Sequence, residues 1–400
     1  MNRMPKLRFK EFNIKWEEKK LGDITKFSKG KLISKEDITE TGIECIRYGE
    51  LYTTYGEVIT KIVSKTNLNV KDLVLSEEND IIIPSSGETA IDIAKASCVT
   101  KSGVALSGDL NILKLNENGI FLSYYLNNKL KYQIASLAQG ASVVHLYENH
   151  LKKLKVLFPS LKEQQKIADF LSSIDKKISI TEEKLDLFKE YKKGIMQKIF
   201  NQELKFKDNN GNDYPEWEEK ILGKIIIKNK EKNKENKYNL VQSISNKFGF
   251  VNQDEYFEDR RVASQDLKNY YVAKNKLFAY NPSRINVGSL AYKEDNNISV
   301  ISPLYVSFYS NKEYLIDNFL FNWLFSSPFI KQMSCSFEGS VRNNLSFETL
   351  SNFIIELPCL EEQEKIANFL SSIDKKIDNL AAELEDLKEF KKGLLQQMFV

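Results

Sequence analysis

The sequence predicts an α+β protein written in two halves: two α/β domains separated by two long helices that form an antiparallel coiled coil, with a pseudo-two-fold internal repeat. Three observations predict it. The phrase "IADFLSSIDKKI" (Ile167–Ile178) returns as "IANFLSSIDKKI" (Ile366–Ile377). Both copies sit in long stretches of helical periodicity. The segments between them diverge, yet each places one strand–loop–strand unit at the same distance from its helix.

A repeat is the first thing to seek in a chain of this length. Aligning Pro159 with Pro358 matches 24 of 42 positions, out to Phe200 and Phe399. Weaker matches lie upstream, Leu146 with Leu345 and Leu151 with Leu350. A second echo opens each half: "LRFK" (Leu7–Lys10) and "WEEKKLG" (Trp16–Gly22) answer "LKFK" (Leu204–Lys207) and "WEEKILG" (Trp217–Gly223). So long a period marks a duplicated domain pair rather than a solenoid. The segments divide as 1–158, 159–200, 201–357 and 358–400.

The closing segments read as helices. Ile366, Phe369/Leu370, Ile373, Ile377, Leu380, Leu384 and Leu387 fall three and four apart, the spacing of a heptad seam. The first copy follows with Ile167, Phe170/Leu171, Ile174, Ile178, Leu185 and Phe188, and Thr181 interrupts it. Ile167, Ile174 and Ile178 are expected to face Ile366, Ile373 and Ile377. Ser160 and Glu163 have the spacing of a capping box; Cys359 replaces the serine in the second copy, so that cap is expected to be weaker. "YKKGIMQKIF" (191–200) is expected to leave apolar surface exposed without partners.

The divergent parts carry short strand signals. "DIIIPSSGETAIDIAKAS" puts Ile81–Ile83 before a Pro/Ser/Gly loop and then a second strand at Ile91 and Ile93, and "NKLFAYNPSRINVGSLAY" puts Leu277–Tyr280 before "NPSR" and then a second strand at Ile285 and Val287. Each half therefore reads as a mixed α/β domain with a small sheet.

Composition narrows the function classes. The chain is 42% hydrophobic and 28% charged, as in soluble globular proteins. No apolar run nears the ~20 residues of a membrane span, and the N-terminus lacks a signal-peptide core. Four isolated cysteines argue against a disulfide framework or zinc site, so a cytoplasmic location is the expectation. A net charge of +3 is compatible with nucleic-acid binding without arguing for it.

Catalytic signatures are missing. There is no phosphate loop, no strand-borne GxGxxG, no HExxH and no nucleophile elbow. "NPSR" at 281–284 is not the Asn/Asp-Pro-Pro-aromatic motif of amino-methyltransferases. His145 and His150 have the wrong spacing for one helical face. No catalytic residue, cofactor site or metal site is assigned.

Polar and aromatic residues cluster instead, in types suited to DNA. Arg and Lys read guanine, Asn and Gln read adenine, and Ser, Thr, Tyr and Lys hold phosphate. In the first half the candidates are Lys29, Arg47, Tyr48 and Tyr52, then Ser85, Ser86 and Glu88, then Ser142 and His145. In the second they are Ser243 and Lys247, then Tyr280, Asn281, Ser283 and Arg284, then Arg342, Asn343 and Asn344. Alternatives stay open. The tyrosines equally suit a sheet face packed inward. The lysine run Lys224–Lys237 equally suits a solvated connector. Glu88 either accepts from cytosine N4 or is plain surface charge.

Two divergent domains with near-identical helices, each opening "P-x-L-x-E-Q" (Pro159–Gln164, Pro358–Gln363) and running to "KKG" (Lys192–Gly194, Lys391–Gly393), resemble the specificity subunit of type I restriction-modification systems. The resemblance covers the whole chain. It implies two target recognition domains, each reading one half of a bipartite double-stranded DNA site, with the helices as a ruler and as docking surfaces. Ser172–Ser173, Lys176–Lys177 and their second-copy equivalents become candidate contacts to partners. The implied partners are two methyltransferase subunits and the restriction subunits, which would bind S-adenosylmethionine, ATP and Mg; this chain would be non-catalytic. A coiled-coil scaffold with two protein-binding domains is the alternative, and an autonomous nuclease or methyltransferase is disfavoured by the missing motifs.

Overall fold

The computed structural model describes residues 4–31, 33–253, 266–337 and 343–400. The chain forms two compact units, residues 1–183 with 382–400, and residues 184–381. Both crossings between units fall inside the long helices, Leu161–Phe200 and Leu360–Met398. The sequence reading sets those helices apart as segments; by packing, each is shared between the units.

The first unit centres on a five-stranded sheet in the order Thr25–Lys29, Leu110–Leu115, Asp80–Pro84, Ser97–Val99, Val58–Ile59. Ile81, Ile82 and Ile83 are all buried, as a central strand covered on both faces requires. A four-stranded sheet carries Ile43–Ile46 and Ser64–Thr66. In the second unit Ile226–Lys228, Val306–Ser310, Phe278–Tyr280 and Leu290–Tyr292 form one sheet, and Val241–Ser245 runs within another. The first strand of each expected unit, Asp80–Pro84 and Phe278–Tyr280, lies inside its sheet, but the expected second strands are helical: Ile91 and Ile93 fall in the helix Ala90–Ile93, and Ile285 and Val287 in the 3-10 turn Ile285–Val287. Part of the lysine run is sheet too: Ile226–Lys228 pairs with Val306–Ser310, and Lys228 is ion-paired to Glu348.

The opening echoes tie each domain to its own helix. Glu17–Lys20 pairs antiparallel with Lys155–Phe158, and Glu218–Ile221 with Ile354–Leu357. Phe9 meets Phe170 edge-on at 5.8 Å, and Phe206 meets Phe369 at 5.6 Å. The glycine ending each echo is a close approach: a Cβ on Gly22 or Gly223 would lie 2.8 Å from Lys152 Cβ or Ser351 Cβ.

The P-x-L-x-E-Q signature is explained inside the chain. The Gln164 side chain donates to Pro159 O and accepts from Asn118 N–H at 3.0 Å; Gln363 does the same with Pro358 O and Ile316 N–H at 2.9 Å. Each glutamine therefore clips the long helix to the start of a domain helix. Glu163 accepts from Arg8 Nε (2.7 Å) and Trp16, and Glu362 from Trp217 Nε1 (3.0 Å). This corrects the capping-box reading. Ser160 Oγ does receive Glu163 N–H at 3.4 Å, but the Glu163 carboxylate is taken by Arg8 and Trp16.

The helices pair antiparallel, and the seam differs from the expected one. In the first unit Ile167, Leu171 and Ile174 share a core with Leu394, Met398 and Phe399. In the second, Ile366, Leu370 and Ile373 share a core with Met196, Ile199 and Phe200. Each copy of the phrase thus faces the closing turns of the other helix, not the other copy, because antiparallel pairing sets the start of one helix against the end of its partner. Two further corrections follow. Met196, Ile199 and Phe200 are buried rather than left exposed. Thr181 is buried as well, its hydroxyl donating to Lys177 O at 2.9 Å, so it continues the buried stripe.

Candidate nucleic-acid interface

In the first unit the candidates gather at one end of the five-stranded sheet. Lys29 pairs across to Asn111, and Asn111 to Ile83, so three strands end together. Beyond Pro84, Ser85 N–H donates to Asp109 O (2.8 Å), and Leu146 N–H donates to Ser85 O (2.9 Å). Ser86 pairs with His145, and Asn111 Nδ2 donates to Leu146 O at 3.0 Å. Two loops far apart in sequence are held as one rim. Lys29, Glu88, Ser142 and His145 are exposed there; the His145 ring stacks on Tyr147 at 6.2 Å.

Beside that rim lies a groove of about 850 Å³ whose lining includes Arg47, Tyr48, Tyr52 and Asp109. Arg47 is not a bare cation: its Nε donates to Glu50 Oε1 at 3.1 Å. Glu50 is buried and also accepts from Ser64 Oγ at 2.6 Å. The pair fixes the guanidinium's direction while leaving further N–H donors. Tyr48 and Tyr52 face each other, with ring centroids 6.5 Å apart. Burial pushes the Tyr52 phenol up, aided by Tyr48, Glu88 and Asp92, so it stays a protonated donor. Tyr55, also in this stretch, is buried and accepts Val63 N–H, and Tyr48 is half-buried with its ring packed against the same core.

The second unit repeats the scaffold with different chemistry. Leu345 N–H donates to Pro282 O at 3.0 Å, the counterpart of the Leu146–Ser85 bond. Ser283 Oγ donates to Asn344 Oδ1 at 3.5 Å, and Asn281 Oδ1 caps Ser283 N–H. Ser283, Arg284, Asn343 and Asn344 are exposed together, and no carboxylate among the described residues pairs with Arg284. The turn bearing exposed Lys247 adjoins them, since Ser289 Oγ donates to Ile244 O (3.1 Å) and Gly288 approaches Asn246.

Some candidates are corrected. Tyr280 is 1% exposed and its hydroxyl donates to Leu345 O at 3.0 Å, so it braces the rim from beneath. Ser243 is buried and accepts from Gln253 Nε2 at 2.7 Å. Ser85 and Ser86 are buried too, and their backbones do the stitching. Arg342 lies outside the described residues. Asp109 and Asn111 were missed; "SGDLN" offers only a turn signal, and their place beside Ser85 emerges from strand pairing.

Comparison with known proteins agrees with this architecture. The family model for the type I restriction modification DNA specificity domain matches twice, at residues 13–190 and 214–389. The chain is 27% identical over 404 residues to the type I restriction enzyme MjaVIII specificity subunit of Methanocaldococcus jannaschii, covering 95% of this chain and 91% of that protein. It is also 27% identical to the putative MjaX specificity subunit of the same organism over 413 residues, covering 95% and 92%. Its fold is similar to that of the S subunit of a type I restriction-modification system from M. genitalium, with a TM-score of 0.64 at 17% identity over 99% of both chains. A second structure, from work on assembly and conformational transition of the type I system, gives 0.53 at 16% identity, covering 97% of this chain and 98% of that one.

Proposed function

The chain belongs to the family of type I restriction-modification DNA specificity subunits, and from that premise we propose that each unit reads one half of a bipartite duplex target. The subunit is a non-catalytic recognition component with two target recognition domains. The helix pair serves as ruler and docking surface for two methyltransferase subunits, and restriction subunits join that core. S-adenosylmethionine, ATP and Mg belong to those partners. No helix among the described residues is long and apolar enough to cross a membrane; a cytoplasmic location goes with this reading.

One observation carries the proposal. The same backbone bond, Leu146 to Ser85 and Leu345 to Pro282, holds loops of unrelated chemistry. One rim offers Glu88 and His145; the other offers Arg284, Asn343 and Asn344. A shared scaffold bearing different donors and acceptors is what reading two unlike half-sites requires.

The experiment is methylome sequencing of cells carrying the chain with its methyltransferase. Arg284→Ala or Asn343→Ala should relax the second unit's half-site alone. A bidentate base contact contributes about 1–3 kcal/mol, so discrimination there should drop about 5- to 150-fold. Equal relaxation of both half-sites would overturn the assignment, and absence of split-site methylation in cells carrying the unaltered chain would overturn DNA recognition itself.

A further inference from the structure

The rim of the second unit displays an apolar side chain for which hydrogen bonding has no use. Leu304 is 79% exposed. It lies in the turn "ISPLY" (Ile301–Tyr305), which joins the strand Ser299–Ile301 to the strand Val306–Ser310. The first unit has "LSGDL" (Leu106–Leu110) at the same place, joining Ala105–Leu106 to Leu110–Leu115, so Leu304 stands where exposed Asp109 stands. Strand register agrees. Tyr280 pairs with Val306, and two steps further that register sets Leu304 level with Pro282. Ser85, the counterpart of Pro282, is in turn bonded to Asp109.

The turn holds the leucine outward. Pro303 restricts the backbone before it, Leu304 N–H donates to Ser302 Oγ at 3.3 Å, and Tyr305 N–H donates to Ser302 O at 3.1 Å. Tyr305 packs against the core that includes Ile244 and Ile301, and its hydroxyl accepts Ile244 N–H at 3.3 Å. A polar residue suits such a turn, as Asp109 shows, and a leucine in water forgoes the burial that normally stabilises one. Its surroundings form hydrogen bonds: Ser283 and Arg284 follow Pro282, and Ser283 reaches Asn344, all three exposed. One apolar point among donors and acceptors is not a protein interface, whose centre is a contiguous apolar patch. It does match the major-groove edge of an A·T pair. There the thymine 5-methyl lies beside the O4 acceptor and the adenine N6 and N7 that asparagine reads.

We propose that Leu304 packs on the 5-methyl group of a thymine, so that the second half-site contains an A·T pair recognised through that methyl. This rests on the reading that the rim faces DNA, and it adds the identity of one base pair and the residue that selects it. Asp109 offers a methyl group only a carboxylate, so the contact belongs to the second half-site alone.

The test uses the full chain with its methyltransferase subunit and the duplex target found by methylome sequencing. Each thymine of the second half-site is replaced in turn by uracil, which lacks only the 5-methyl, and affinity is read by fluorescence anisotropy. At one position uracil should weaken binding by the unaltered chain about fourfold, the effect of one buried methyl-sized group. Leu304→Ala should weaken the thymine duplex by a similar factor and abolish the thymine–uracil difference at that position. Leu304→Met, which keeps an apolar side chain, should retain the difference, and uracil in the first half-site should affect all three chains alike. The side chain is exposed, and an unchanged melting temperature separates a lost contact from lost folding. The proposal is overturned if no position of the second half-site senses uracil, or if the difference survives in Leu304→Ala. It is also overturned if Leu304→Ala weakens thymine and uracil duplexes equally, as loss of a wedge between bases would. A chain that does not distinguish its target from a scrambled duplex gives a separate result, in which the reading beneath the proposal fails.

Discussion

Lys391 stands between two carboxylates, Asp175 at 2.7 Å and Glu57 at 3.0 Å, over the ring of Tyr124. Burial pushes the Glu57 carboxyl up, but the Lys391 charge and hydrogen bond more than offset that and hold it below its usual value. Burial likewise lowers the Lys391 ammonium, and Glu57 and Asp175 together raise it above 10.5. The signs then follow. Glu57 contributes stability above pH 4.5 that is lost as pH falls through its lowered value; Lys391 contributes stability below pH 10.5 that is lost as pH rises past its raised one. Lys391→Met should cost about 2–3 kcal/mol at neutral pH, reduced from a fully buried pair by partial solvent access. It should also flatten the acid limb of stability, measured by urea unfolding between pH 3 and 7. An unaltered acid limb would count against the assigned partner. At this scale the sequence was half legible. "IDKKI" and "KKG" announce repeated residues, and Asp175–Lys391 with Asp374–Lys192 realises them, but Glu57 comes from divergent sequence and no spacing points to it. Tyr280 was misread for the converse reason: an aromatic beside a polar loop looks like a contact until burial is known.

Among the elements, the closing turns of the second long helix contribute most to a domain they are remote from in sequence. Phe399 lies 5.5 Å from the Phe121 ring, 5.8 Å from Tyr125 and 6.5 Å from Trp16. Tyr125 O–H donates to Val400 O at 3.0 Å. Phe399→Ala should cost about 3–5 kcal/mol. Hydrogen exchange should rise in residues 119–158 of the first unit and stay unchanged in residues 277–324 of the second; equal loosening would contradict the packing described. The existence of both helices and their antiparallel sense was legible from the repeat. Their facing residues were not, because periodicity names the stripe on a helix but not which stretch of the partner covers it.

At the scale of the molecule, both crossings between units lie within helix, between 183 and 184 and between 381 and 382. A helix rises ~1.5 Å per residue, so seven residues inserted at both crossings add ~10 Å while keeping each apolar stripe in register. If the helices set the gap in the DNA target, it should lengthen by about three base pairs at ~3.4 Å each, read by methylome sequencing. An unchanged gap with full methylation would sink the ruler. The sharing of helices has a further bearing on how the chain comes into being. Residues 184–381 complete the second unit, but the first also requires 382–400. In order of synthesis, therefore, the half translated later has all its parts before the half translated earlier. Trp16 and Phe121 wait for Phe399, and a message cut short after residue 381 would release a chain whose second unit is whole and whose first is open. That released 1–381 fragment should show a protease-resistant core spanning the second unit alone.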